Sequence, residues 1–139
     1  MLPDTGNIEE HAASHLPGAR HADTIDAALS VLSTTPPHSR IVTYCPIGLR
    51  SSTLVKDLQS EGIGNKSNLS GSIFKWASEG RQFFRENNLA VQVHPFNSDW
   101  GQLLNHNIHS FVIDNRTKFY MDSAHHHAFP MQAPQPTFA

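Results

Sequence analysis

The sequence predicts an α/β fold in which a mostly parallel central sheet is flanked by helices, and three observations carry that prediction. Helix-type and strand-type patterns alternate from residue 7 to residue 80, the order that parallel strands and their crossovers require. Proline and glycine break the alternation at Pro17-Gly18, Pro36-Pro37, Gly62-Ile63-Gly64 and Gly80, where a helix cannot continue or readily closes. The run Ile41-Val42-Thr43-Tyr44-Cys45 is apolar enough to be a strand buried in a sheet.

Each element follows in order. Residues 7–16 mix charge with alanine and read as a short helix that stops before Pro17-Gly18. Residues 19–22 suit a short strand. Asp23 or Thr24 then caps a helix whose Ile25, Ala28, Leu29 and Leu32 share one face. Strand 41–45 comes next, and a helix from about Ser51 presents Leu54, Val55 and Leu58 to the core. Asn68-Leu69 is a short strand, and a further helix carries Ile73, Phe74, Trp76 and Ala77 to Gly80. Beyond Phe84 the pattern weakens. Val91-Gln92-Val93 reads as surface extended chain, and Trp100, Leu103 and Leu104 as a docking apolar patch. The predicted division is a domain over 1–85, an extension packed on it over 86–120 and a disordered tail over 121–139.

Bulk properties narrow the function. A chain of 139 residues supports one core. A net charge of −2 with neutral histidines gives no attraction to nucleic acid or to an anionic membrane. No apolar stretch approaches the roughly 20 residues of a membrane span, and the first residues lack the basic and apolar segments of a secretory signal. Cys45 is the sole cysteine, so no internal disulfide forms. A reduced, cytoplasmic protein is expected.

Cys45 is also the leading candidate for chemistry. It ends a strand, and Pro46-Ile47-Gly48-Leu49-Arg50 leads from it into a helix opened by Ser51-Ser52-Thr53. Exposed peptide N–H groups and the positive end of a helix favour S⁻ over SH, and such settings bring a thiol from about 8.5 to roughly 3.5–7.5. The competing reading is an inert buried thiol; the strand–loop–helix setting argues against it. Gly48 permits positive φ and close backbone approach. Arg50 brings a fixed positive charge and a donor fork, and Ser51 a hydroxyl able to cap the helix or bind an anion.

Three motifs resemble those of the rhodanese-like sulfurtransferases. Glu9-Glu10-His11-Ala12-Ala13-Ser14-His15-Leu16-Pro17-Gly18-Ala19 resembles their "E-E-[FY]-x-x-G-H-I-P-G-A" signature, and Tyr44-Cys45-Pro46-Ile47-Gly48-Leu49-Arg50-Ser51 their active loop. Asn68-Leu69-Ser70-Gly71-Ser72-Ile73, with Trp76 and Gly80, is similar to their closing "N-L-x-G-G-I-x-x-W-x-x-x-G" segment. The resemblance implies a rhodanese-like fold and a sulfurtransferase using no cofactor. Cys45 would be the nucleophile and persulfide carrier, and N–H groups of residues 47–50 would hold the persulfide anion. Arg50 would shape the loop, and Pro46, Ile47, Gly48, Leu49 and Ser51 would line the substrate site. A donor such as thiosulfate would load the sulfur and cyanide or a thiol would remove it. The alternatives are a non-catalytic sulfur-carrying, sensing or partner-binding module, and a cysteine phosphatase or arsenate reductase. The latter enzymes carry a loop one residue longer than the Pro46-Ile47-Gly48-Leu49 interval here.

Departures from the family pattern centre on the N-terminus, where the strand expected before Asp4 has only Met1, Leu2 and Pro3, and Gly6 replaces an arginine. A missing strand would leave open backbone groups inside the sheet. Three explanations stand: a truncated chain, self-association across the open edge, or insertion of His109-Ser110-Phe111-Val112-Ile113-Asp114-Asn115-Arg116-Thr117 into the vacant place. Ser14 replaces the usual glycine before His15. His125-His126-His127 invites a metal reading, but a Pro/Gln-rich tail supplies no fixed ligand geometry, and no metal site is predicted. His106 and His109 lie in a stretch too weakly apolar for a helix to pair them. His15 is read as structural, and Trp76 and Trp100 as core or docking aromatics without the basic partners of a nucleic-acid platform.

Overall fold

The structure is a computed structural model and describes residues 1–104 and residue 108. Its order is β1 (Pro3–Asp4), α1 (Ile8–Ala13), β2 (Arg20–His21), α2 (Ile25–Ser33), β3 (Ile41–Thr43), α3 (Leu49–Ser60), β4 (Lys66–Asn68) and α4 (Ser72–Ser78). A hairpin of β5 (Phe84–Arg85) and β6 (Asn88–Leu89) and the short α5 (Ser98–Gly101) follow. β1 pairs in parallel with β2, β3 pairs in parallel with β4, and a parallel bridge from Asp4 to Tyr44 joins the two pairs. The strand order is therefore β2-β1-β3-β4, the parallel α/β sheet expected.

The N-terminal strand is shortened rather than missing, which corrects the expectation of an open gap. The Met1 and Pro3 carbonyls accept from Val42 and Tyr44, and Thr5 N–H donates to the Tyr44 carbonyl. On the other side Arg20 and Ala22 donate to the Leu2 and Asp4 carbonyls. Three residues suffice because only their backbone is needed between two neighbours. The place offered to residues 109–117 is thus taken by residues 1–5; residues 109–117 themselves, the predicted tail, and His106 and His109 lie outside the described residues.

Alternation along β3 sends its side chains to both faces. Ile41 joins Ala22, Ala28, Leu54 and Leu58 against α2 and α3. On the other side Tyr44 joins Leu16, Ile73, Phe74, Ala77, Phe83, Val93 and Leu104 against α4 and the chain after it. Val93 is buried and its N–H donates to the Ile108 carbonyl, so the stretch read as surface chain reaches the core. Of the predicted docking patch only Leu104 is buried; Trp100 and Leu103 stay exposed along a groove shared with Ile47 and Phe74. The β5–β6 hairpin escaped the sequence reading because its polar Glu86-Asn87 tip joins strands of two residues each.

Helix starts follow local chemistry. Asn7 and Glu10 form a capping box on α1, and Thr24 caps α2. α3 starts two residues before the expected Ser51, at Leu49. Gly48, in the left-handed region at φ 97°, makes that earlier start possible.

Candidate active site

Strand β3 delivers Cys45 to the N-terminal end of α3, and buried side chains hold that junction. Thr43 Oγ1, fully buried, donates to the Ser51 carbonyl at 3.0 Å and ties the strand to the first turn of the helix. The Cys45 N–H donates to Ser72 Oγ at 3.3 Å, and the Cys45 and Pro46 carbonyls accept from Ile73 and Phe74 of α4. The loop is thereby fixed to α3 on one side and α4 on the other.

α3 has no side-chain cap at Gly48; the sulfur takes that role. Cys45 Sγ accepts from Gly48 N–H at 3.0 Å and from the Ser51 hydroxyl at 3.6 Å. Burial pushes the thiol up, but N–H groups of Ser51, Gly48 and Ile47 and the Ser51 hydroxyl together outweigh it and hold the group below the ordinary 9.0. Gly48 N–H is the backbone group seen bonded to the sulfur, and it belongs to the predicted 47–50 stretch.

The other predicted residues divide. Pro46 is buried beside Cys45, Ile47 is half-buried, and Leu49 is 68% exposed. Arg50 does not present a free charge to the thiol. Its guanidinium bonds Glu10 Oε2 at 2.5 Å, with the carboxylate only 5% exposed, and it lies 5.2 Å from the Phe96 ring centre. Arg50 therefore anchors the loop to α1.

Several site residues went unseen in the sequence. The single Ser51 hydroxyl proton is divided between Asn68 Oδ1 at 2.7 Å, the shorter contact, and the sulfur at 3.6 Å, and Asn68 Nδ2 donates to the Gly48 carbonyl, so Asn68 holds both loop residues in place. Ser72 stands where the family segment has its second glycine and holds φ at 49°, with its hydroxyl against the Cys45 N–H. His94 lines a small cavity with Cys45, Asp4, Glu10, Ser14 and Tyr44. Its Nδ1 accepts from Phe96 N–H, which requires a bare Nδ1, and burial lowers its affinity for a second proton, with Arg50 adding to this against Glu10 and Glu9. Glu10, Ser14, Asn68 and Ser72 all lie within the motifs quoted above, which marked their places but not their contacts; His94 had no signal. His15 stacks on His11 at 4.5 Å between ring centres, a packing role in keeping with the structural reading.

Gly48→Ala tests the loop directly. A Cβ there would lie 3.4 Å from Ser72 Oγ, and the left-handed backbone would remain strained by about 1–3 kcal/mol. The expected result is a melting temperature lowered by several degrees and a Cys45 thiol shifted back toward its ordinary value, read by alkylation rate against pH.

Among the described residues no group of side chains is arranged to hold a metal ion, and no helix is long and apolar enough to cross a membrane.

A buried thiol capping a helix at the end of a parallel strand, with an arginine anchored behind it, defines a cysteine-loop α/β protein. The family model described as rhodanese-like domain matches residues 2–79, more than half of the chain, and the chain belongs to that family. The fold is similar to a rhodanese-related protein from Thermoplasma volcanium (19% identity, 61% of this chain and 83% of that one, TM-score 0.52). It is also similar to a thiosulfate sulfurtransferase from Pseudomonas aeruginosa (18% identity, TM-score 0.57), covering 74% of this chain but 20% of that one. A rhodanese-like domain protein from Staphylococcus aureus shares 26% identity over 58% of this chain and 76% of its own, with a TM-score of 0.48. The comparison with curated proteins returned no match.

Proposed function

We propose that the protein is a sulfurtransferase that carries sulfane sulfur as a persulfide on Cys45. The observation that carries this reading is Cys45 Sγ accepting from Gly48 N–H at the start of α3, with the Ser51 hydroxyl beside it. In the first half-reaction the thiolate attacks the outer sulfur of a donor such as thiosulfate. A new S–S bond forms, the donor's S–S bond breaks, and sulfite leaves with the electron pair. An acceptor thiolate or cyanide then attacks the terminal sulfur, and the electron pair of the broken S–S bond returns to Cys45. The loop donors stabilise the Cys45 thiolate that attacks in the first half-reaction and is released in the second, as an oxyanion hole does for oxygen. With Cys45 the only cysteine, the sulfur passes to an external acceptor, and a reducing cytoplasm suits a thiol with no disulfide partner. Phosphatase chemistry fits less well, since the one arginine of the loop is neutralised by Glu10.

The pH dependence follows in sign. An acid whose folded value is lowered contributes stability that is fully present above 9.0 and is lost as pH falls through the lowered value. Sulfur loading and iodoacetamide alkylation of the folded protein should rise together and level off below pH 9, whereas the urea-unfolded chain should still be climbing there. Coincident folded and unfolded profiles would remove the basis of the proposal.

A further inference from the structure

The cavity beside Cys45 contains one polar group whose capacity the fold leaves unused. Ser14 is 3% exposed, and its Oγ is the one buried side-chain oxygen or nitrogen without a hydrogen-bond partner among the described residues. The other polar groups around the cavity are engaged. Asp4 accepts from Gly6 N–H and the Tyr44 hydroxyl and bonds His11 Nδ1, while Glu10 accepts from Arg50 and from Asn7 N–H. Tyr44 Oη also accepts from Leu16 N–H, and His94 Nδ1 accepts from Phe96 N–H. The space has room for about one water-sized guest. The larger groove nearby is lined by Ile47 and Phe74 and does not include Cys45.

Burying a hydroxyl without a partner is unfavourable, and nothing in the backbone demands a serine here. Ser14 ends α1 with φ −169° and ψ 152°, an extended conformation open to any residue. The signature that residues 9–19 resemble has a glycine at this place, so the hydroxyl is not required by the turn. Cys45 is 1% exposed, and a sulfur atom added to it needs adjoining space. From these observations we infer that Ser14 is a sulfur-binding residue: its hydroxyl donates to the terminal sulfur of the Cys45 persulfide, which occupies the cavity. The inference rests on the sulfurtransferase reading and adds a donor from outside the loop. No bond to carbon or sulfur changes at Ser14; it contributes one O–H···S⁻ contact made only in the loaded protein.

That contact has two consequences of opposite sign. Ser14→Ala removes an unpartnered buried hydroxyl, so the sulfur-free protein should melt higher, by about 4 °C or more. The same substitution removes a charge-assisted bond from the loaded state, so the thiosulfate-to-sulfite ratio needed to load half the protein should rise about tenfold. Ser14→Gly, the family residue, should show the same rise in that ratio.

The test is intact-mass titration of wild type, Ser14→Ala and Ser14→Gly against mixtures of thiosulfate and sulfite, with melting curves of each sulfur-free protein. A tenfold rise in the half-loading ratio with a higher melting temperature for Ser14→Ala supports the assignment. An unchanged ratio overturns it and means the cavity holds a water only. A lowered melting temperature for Ser14→Ala also overturns it, since the hydroxyl would then have a partner in the unloaded protein. If wild type does not load at all, the sulfurtransferase reading itself fails; loading of wild type with unchanged variants defeats the Ser14 assignment alone.

Discussion

Asp4→Ala is expected to cost the fold about 3–4 kcal/mol, lowering the melting temperature by at least 12 °C or so. The carboxylate is 3% exposed and serves three partners: Gly6 N–H at 2.8 Å, the Tyr44 hydroxyl at 2.7 Å and His11 Nδ1 at 2.7 Å. Tyr44 is fully buried, and burial, then the Asp4 charge and their hydrogen bond, push its own ionisation well above the usual phenol range. It therefore stays a neutral donor at any ordinary pH. Alanine strands that hydroxyl and the buried Gly6 N–H, each a desolvated group with no substitute partner. Asp4→Asn should fall between wild type and alanine, because its carbonyl oxygen keeps one acceptor. A loss below 1 kcal/mol for Asp4→Ala would mean that the β1–β3 junction does not depend on this network. The expected reach extends to the site, since Tyr44 and Cys45 follow directly from the end of β3.

Cys45→Ser should abolish sulfur transfer, taking thiosulfate-to-cyanide turnover to the uncatalysed background, while leaving the melting temperature within a few degrees of wild type. The fold tolerates the change because a serine hydroxyl can accept from Gly48 N–H as the sulfur does. Activity does not, because an alkoxide is far less accessible than a thiolate and forms no persulfide. The contrast separates chemistry from stability. Asp4→Ala damages the scaffold, whereas Cys45→Ser leaves the scaffold and removes the sulfur carrier.

Much of this was readable from the chain. The alternation of elements and the three motifs gave the parallel sheet, the family and the position of Cys45 ahead of a helix. Local signals, such as Thr24 at the start of α2 and Ser51 near that of α3, set element starts to within two residues. Three features lay beyond that reading for physical reasons. β1 has only two residues, too few for any period, and its pairing with β2 and β3 rests on backbone bonds that carry no side-chain pattern. The Arg50–Glu10 pair joins residues 40 positions apart and engages the fixed positive charge of the loop as an anchor to α1. Asn68 and Ser72 stand in the third motif, but they touch the loop only because β4 lies beside β3 and α4 packs under the Cys45 backbone, a tertiary placement the motif does not state.

The most direct test of the central claim is intact-protein mass spectrometry of wild type and Cys45→Ser after incubation with thiosulfate and desalting. The account predicts that wild type gains about 32 Da, one sulfur atom. That gain should vanish on addition of cyanide or dithiothreitol and never appear in Cys45→Ser. A folded wild-type protein that gains no mass, or a gain that persists in Cys45→Ser, would contradict a persulfide on Cys45.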